Sequence, residues 1–402
     1  TEVPIKTATF ADGKLTLELP AAGISYTGTL SEKGDKLAGE FKQGGVTLPL
    51  NLDRIDKLPS INRPQTPKAP FPYPSEDVTF ENAEAKIELA GTFTRPKGDG
   101  PFPAVLLVSG SGPQDRDETL FDHKPFLVLA DHFARNGIAC LRYDDRGIGK
   151  SKGKFADATS ADFATDAYAA VTYLKGRKEI DPNRIGICGH SEGGVIAPLV
   201  AAARPADVGF IVLLAGPGIS GERVLYEQAL DFSKLADETV TDKDIREFTD
   251  AVMPVMKSAK TTKEATEKLT EVMLKLVAKE KDEAKRKTAE KAVPMSVGRL
   301  ADPWFRWFVQ YDPAPTLEKV ACPVLALNGE KDLQVKAKQN LEVIESALKK
   351  GGNKQFKCVE LKGLNHLFQP CKTGLLSEYG QIEETFAPDA LKLISDWINE
   401  RK

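Results

Sequence analysis

The chain has 402 residues, 55 Lys plus Arg against 58 Asp plus Glu, and a formal net charge of -3. That near balance excludes a protein held to nucleic acid or an anionic membrane by bulk charge, and a hydrophobic share of 41% excludes wholesale disorder. No run approaches the ~18 apolar residues that a membrane span needs, and the length allows roughly two or three domains, at least one with a large core.

Residues 1–58 read as β. Residues 14–19 alternate polar and apolar, and similar runs follow at 24–30, 37–41 and 46–52, separated by Asp12-Gly13, Ala22-Gly23, Lys33-Gly34-Asp35 and Gly44-Gly45. This predicts a small antiparallel module with a thin core. Residues 59–74 carry prolines at 59, 64, 67, 70, 72 and 74, which predicts an extended, semi-rigid linker.

From residue 75 onward short apolar strands alternate with helices. Strands are expected at 104–108, 138–143, 184–188 and 210–214, with helices at 125–135, 161–174 and 194–203. The pattern resumes with a strand at 324–327, a helix at 338–349, a strand at 356–361 and a helix at 389–400. Such alternation predicts a mostly parallel sheet with helices on both faces, built from 75–218 and 316–402. Residues 219–315 give no strand signal and read as an inserted helical cap. In it Ala265, Leu269, Val272, Met273 and Leu276 share one helix face, and all four methionines fall there. The charged run 279–291 reads as a solvated helix face. The five cysteines contain no C-x-x-C pair, so a zinc or thioredoxin-like site is a poor reading. Cys358 and Cys371, with twelve residues between them, leave the question of a bridge open.

Gly189-His190-Ser191-Glu192-Gly193 fits G-x-S-x-G, a pattern that is weak alone. Here an apolar strand enters it and a small-residue helix leaves it, so the serine belongs on a strained turn at the C-terminal edge of the sheet, where flanking glycines are required. A serine needs a base. Of the four histidines, His190 abuts Ser191 and should point away from its hydroxyl, while His123 and His132 lie at and in a helix. His366, in a loop after the strand at 356–361, is the candidate base. Asp332, after the strand at 324–327, is the candidate acid that orients it, ahead of Glu330. The order Ser191, Asp332, His366 is that of α/β-hydrolases. An oxyanion calls for backbone donors worth about 3 kcal/mol each. The N–H of Glu192 is one candidate. The glycine-rich loop 109–112 supplies the other, Ser111 first and Gly110 as alternative. The stretch Asp144-Asp145-Arg146-Gly147-x-Gly149-x-Ser151 reads as a structural turn, with local pairing of Arg146 and its carboxylates. Trp304, Phe305, Trp307 and Phe308 pack the cap or line the substrate pocket.

These motifs resemble the α/β-hydrolase superfamily over residues 75–402, and more narrowly the bacterial serine carboxylesterases with a β-rich N-terminal module and a helical cap. The resemblance implies an α/β-hydrolase fold, hydrolysis of small-molecule carboxylic esters with a short acyl chain, an acyl-serine intermediate, and neither cofactor nor metal. It also implies export to the periplasm or medium, an expectation shared with the non-Met start; a cytoplasmic protein is the alternative. In that family the N-terminal module is larger than residues 1–58, with further strands upstream. Ser109 departs from the histidine that many members of the superfamily carry before the oxyanion glycine. A peptidase or acyltransferase on the same three residues, or an envelope or glycan binder with incidental hydrolase activity, are the rival readings. No nucleic-acid partner and no membrane span are expected, and the choice between monomer and homo-oligomer is open.

Overall fold

The computed structural model describes residues 5–19, 24–43, 46–56, 61–236 and 240–401. The chain divides into two compact units, Thr1–Ser60 with Pro254–Ala301, and Ile61–Met253 with Asp302–Lys402.

In the first unit a six-stranded antiparallel sheet runs β1 (Thr7–Ala11), β2 (Lys14–Leu19), β3 (Ile24–Leu30), β4 (Lys36–Gln43), β5 (Val46–Pro49), with β6 (Leu52–Asp53) also on β4. Strand β1 lacks the clear alternation of β2, and all its residues are exposed. The turns at Gly13 and Gly34 adopt φ of 74° and 69°, which favours glycine. The turns Ala22-Gly23 and Gly44-Gly45 lie outside the described residues.

The second unit holds an eight-stranded sheet. Its strands are β7 (Ser75–Asn82), β8 (Ile87–Thr94), β9 (Phe102–Val108), β10 (Ala139–Tyr143), β11 (Ile180–His190), β12 (Phe210–Leu214), β13 (Val324–Gly329) and β14 (Phe356–Leu361). The spatial order is β14-β13-β12-β11-β9-β10-β8-β7. From β10 to β14 the neighbours are parallel, and β8 and β7 close the far edge antiparallel. Alternation decides the faces. On β9, Ala104, Leu106 and Val108 join one core, while Val105 and Leu107 join the other. The first face is covered by α2 (Ser160–Lys175) and α3 (Gly193–Ala203), the second by α1 (Pro125–Arg135).

After β12 the described chain is helical up to β13. The helices are α4 (Gly221–Ala236), α5 (Asp242–Ser258), α6 (Thr262–Val277), α7 (Glu283–Leu300), α8 (Pro303–Gln310) and the short α9 (Ala314–Leu317). The division between units falls inside α5 and before α8, so residues 219–315 are shared between the two units. Helix α6 starts where Thr261 Oγ1 accepts the Glu264 N–H at 3.1 Å, and it buries Ala265, Leu269 and Met273 on the expected face. The chain ends with α10 (Ala337–Lys350), α11 (Leu376–Tyr379) and α12 (Pro388–Asn399); α10 completes the first face and α12 the second. No helix among the described residues is long and apolar enough to cross a membrane. All five cysteines are free, so Cys358 and Cys371 are not bridged.

Residues 61–74 belong to the second unit and are fastened to it as a strap. Arg63 donates to the carbonyls of Ile382, Phe121 and Gly380, each at 2.8 Å. The Gln65 side-chain oxygen accepts the N–H groups of Thr385 and Phe386 at 2.6 and 2.9 Å, and its amide donates to the Phe386 carbonyl at 2.7 Å. Tyr73 donates to Asp131 at 2.8 Å. Within the segment the Thr66 N–H donates to the Arg63 carbonyl at 3.0 Å, which closes a turn, and the proline spacing did not announce the anchoring by the three side chains between the prolines.

Candidate active site

Strand β11 runs into α3 through Ser191, whose φ is 53°. A non-glycine residue in this region is strained and needs its surroundings to hold it there. Two of those constraints are steric. A Cβ on Gly189 would collide with the Gly193 carbonyl, and one on Gly193 would collide with the Val108 carbonyl. The Ser191 N–H also donates to the Leu214 carbonyl at 2.8 Å, pinning the turn to β12. The residue is half-buried, at the C-terminal end of a central parallel strand.

His366 and Asp332 meet as the sequence suggested. Their loops follow β14 and β13, and His366 Nδ1 lies 2.7 Å from Asp332 Oδ2. Asp332 is 3% exposed, so its charge needs internal partners. It has them: the N–H groups of Gln334 and Val335 both donate to Oδ1 at 2.8 Å, and Asn328 Nδ2 donates to Oδ2 at 3.2 Å. The carboxylate thus fixes Nδ1–H and leaves Nε2 as the basic nitrogen. His366 lies beside the elbow, its ring centroid 4.8 Å from that of His190. Glu330 is elsewhere: it is exposed, and its carboxylate accepts the Gly363 N–H at 2.9 Å.

A network that sequence reasoning missed supports the His366 loop. Asn365 Oδ1 accepts the N–H groups of Leu367 and Gln369, and its amide donates to Gln369 Oε1 at 2.9 Å. Gln369 Nε2 reaches His123 Nε2 at 2.9 Å, and His123 Nδ1 reaches Thr385 Oγ1 at 2.8 Å. Burial pushes the His123 imidazole below its ordinary range, consistent with a neutral structural ring. Thr385 is the residue that Gln65 of the strap holds. These are polar residues in a loop, with no spacing to mark them.

The loop after β9 approaches the elbow closely: a Cβ on Gly110 would stand 3.2 Å from that of Ser191. The Gly110 N–H donates to Glu118 Oε1 at 2.7 Å, so it is committed to the protein and is not free for a substrate. The N–H groups of Ser111 and Glu192 have no protein acceptor among the described residues. Ser109 Oγ donates to Asp145 Oδ1 at 3.1 Å, and the Gln114 N–H to Asp145 Oδ2 at 2.9 Å. In the turn 144–151 Asp144 Oδ2 accepts the Lys150 N–H at 3.0 Å, but pairing of Arg146 with the turn's own carboxylates is corrected. Asp144 accepts from Arg116 at 2.7 and 3.0 Å, and Arg146 pairs with Asp166 on α2 at 2.7 Å. Each carboxylate of the turn thus has a partner outside it, Arg116 for Asp144 and Ser109 with Gln114 for Asp145. Burial, before any other influence, pushes the Asp145 carboxyl well above its usual range.

The Glu192 side chain is buried and points at α8 and α2. Its Oε1 accepts Trp304 Nε1–H at 2.6 Å and Ser160 Oγ–H at 2.5 Å. Burial raises its pKa to about 7 against these two donors. Of the four aromatic candidates, Trp304 is thus tied to the elbow and stacks on Phe308, with centroids 5.2 Å apart. Phe305 and Phe308 are buried, and Trp307 stacks on Tyr311 instead. Among the described residues no group of three or more His, Cys, Asp or Glu is placed to hold a metal ion.

A parallel sheet with helices on both faces, entered by a serine on a strand-to-helix elbow, defines an α/β-hydrolase. The chain matches the X-Pro dipeptidyl-peptidase (S15) family over residues 86–364 and belongs to that family. It is 28% identical over 339 residues to esterase EstD of Thermotoga maritima, covering 82% of this chain and 70% of that one. Among solved structures it is similar to a hypothetical protein of Pseudomonas aeruginosa, with a TM-score of 0.53, 16% identity, and coverage of 87% of this chain and 100% of that chain. It is also similar to an esterase of Pyrococcus furiosus, with a TM-score of 0.52, 15% identity, and coverage of 85% and 98%. Those two likenesses concern the fold.

Proposed function

We propose that this α/β-hydrolase is a serine carboxylesterase acting on small-molecule esters with short acyl chains. The observation that carries the reading is the buried Asp332–His366 contact, 2.7 Å long, beside an elbow that holds Ser191 at a φ of 53°. In this mechanism Ser191 Oγ attacks the ester carbonyl while His366 Nε2 takes its proton. Asp332 holds the ring and stabilises the imidazolium. The N–H groups of Glu192 and Ser111 receive the oxyanion, Gly110 being engaged with Glu118. His366 returns the proton to the leaving alcohol, the acyl-serine forms, and a water deprotonated by His366 releases the acid. Trp304, Phe305 and Phe308 bound the acyl side. The name of the Thermotoga relative favours ester over amide.

The family description favours a second reading, a peptidase on the same residues. Side-by-side turnover of p-nitrophenyl esters and of Xaa-Pro p-nitroanilides separates the two. An esterase prefers the esters by orders of magnitude in kcat/KM. Comparable or faster release from the anilides makes it a peptidase.

A further inference from the structure

His190 precedes Ser191 and bonds to two separate pieces of chain. Its Nε2 lies 3.0 Å from the main-chain oxygen of His366, and its Nδ1 lies 2.8 Å from Glu118 Oε1. A carbonyl oxygen only accepts, so Nε2 carries a proton. Glu118 Oε1 already accepts the Gly110 N–H at 2.7 Å, and a carboxylate oxygen accepts from both neighbours. Paired with a carboxylate, Nδ1 carries a proton as well, and a ring donating from both nitrogens is an imidazolium.

The surroundings agree. The side chains of His190 and Glu118 are 8% and 6% exposed. The far side of the pair is apolar, formed by Phe126, Leu129, Leu214 and Phe368. A charge there persists only when paired and hydrogen-bonded. Glu118 is held at a φ of 51°, a strained conformation that aims its carboxylate at both partners. The ionisable groups facing His190 are Glu118, Asp332 and the His366 ring, and Asp145 and Glu192 act on the same cluster. Burial pushes the His190 imidazole down, but Glu118, the His366 carbonyl and Asp332 outweigh it and raise it.

We propose that His190 is a positioning residue, kept charged by Glu118, that fixes the loop of Gly110 and the loop of His366 against the strand carrying Ser191. It grips the main chain of His366, so the imidazole of that residue stays free for proton transfer. By engaging the Gly110 N–H, Glu118 settles which N–H of that loop faces the substrate. The proposal rests on reading Ser191 and His366 as nucleophile and base.

Glu118→Gln is the discriminating variant. It keeps the size but removes the charge: one amide atom stands where Oε1 meets both the Gly110 N–H and His190 Nδ1, so a neutral His190 keeps its Nε2–H bond to the His366 carbonyl and loses one of the two bonds at residue 118. The first readout needs no activity: histidine ring 15N spectra of the full chain at pH 7.5, assigned by His190→Asn. His190 is expected to be doubly protonated in wild type and in Ser191→Ala, and neutral in Glu118→Gln. The second readout is ester turnover against pH. We expect Glu118→Gln to lower kcat by about 10- to 100-fold with little change in KM, as slight misplacement of reacting groups does. The basic limb of its profile should also move to lower pH. A neutral His190 in wild type, or an unchanged kcat and pH profile in Glu118→Gln, overturns the proposal. Full turnover in Ser191→Ala would instead overturn the catalytic reading, and the spectra would still decide the state of His190.

Discussion

Ser191 is held at its φ of 53° by what its neighbours lack. Adding one methyl at Gly189 drives a Cβ into the Gly193 carbonyl. Gly189→Ala is therefore expected to cost about 1–3 kcal/mol in urea unfolding and to abolish ester turnover, since the elbow must open. Asp332→Asn should leave stability nearly intact but lower kcat roughly 10³- to 10⁴-fold, because the amide favours the wrong tautomer of His366. Glu192 predicts a pH effect. Its pKa rises from 4.5 in the unfolded chain to about 7 when buried, so its contribution is fully present below 4.5 and is lost as pH rises to 7. Relative to Glu192→Gln, wild type should lose about 3 kcal/mol between those two pH values; a flat difference would mean that burial does not shift this carboxyl. The placement of Ser191 on the elbow and of Asp332 against His366 was legible because each follows a strand in a fixed order. Glu118, Asn365 and Gln369 were not, because a buried polar partner in a loop has no periodicity to announce it.

At the scale of elements, the strap 61–74 is tied to the chain around His366. Gln65 holds Thr385, Thr385 holds His123, His123 holds Gln369, and Gln369 holds Asn365. Gln65→Ala removes the acceptor of two backbone N–H groups, a loss of about 1–3 kcal/mol. Hydrogen exchange is expected to speed up at Thr385 and in the 363–371 loop while the β9 and β11 amides stay protected. Unchanged exchange in that loop would show that the strap is mere covering. Helix α1 and strands β12 and β14 coincide with the residues marked by sequence, because each is an uninterrupted apolar or amphipathic run bounded by turn chemistry. The hairpin of β7 and β8 was not singled out. It lies at the sheet edge, and β7 is mostly exposed, so its apolar signal is diluted.

For the molecule as a whole, the division into units was the least legible feature. The sequence shows the helical character of residues 219–315, but period alone does not say with which part of the chain a helix packs, and the boundary falls inside α5. The cysteines are a whole-chain property that can be checked directly. With all five free, thiol titration in denaturant should find five per chain, and reductant should not shift the Tm; a lower count would reveal a bridge. The central claim is that Ser191 is the nucleophile of a short-chain esterase. Its most direct test is hydrolysis of p-nitrophenyl esters from acetate to dodecanoate by wild type and Ser191→Ala in parallel. Turnover that falls with acyl length and vanishes in the variant is the predicted result. Substantial turnover by folded Ser191→Ala, or none by folded wild type on any ester, would contradict it.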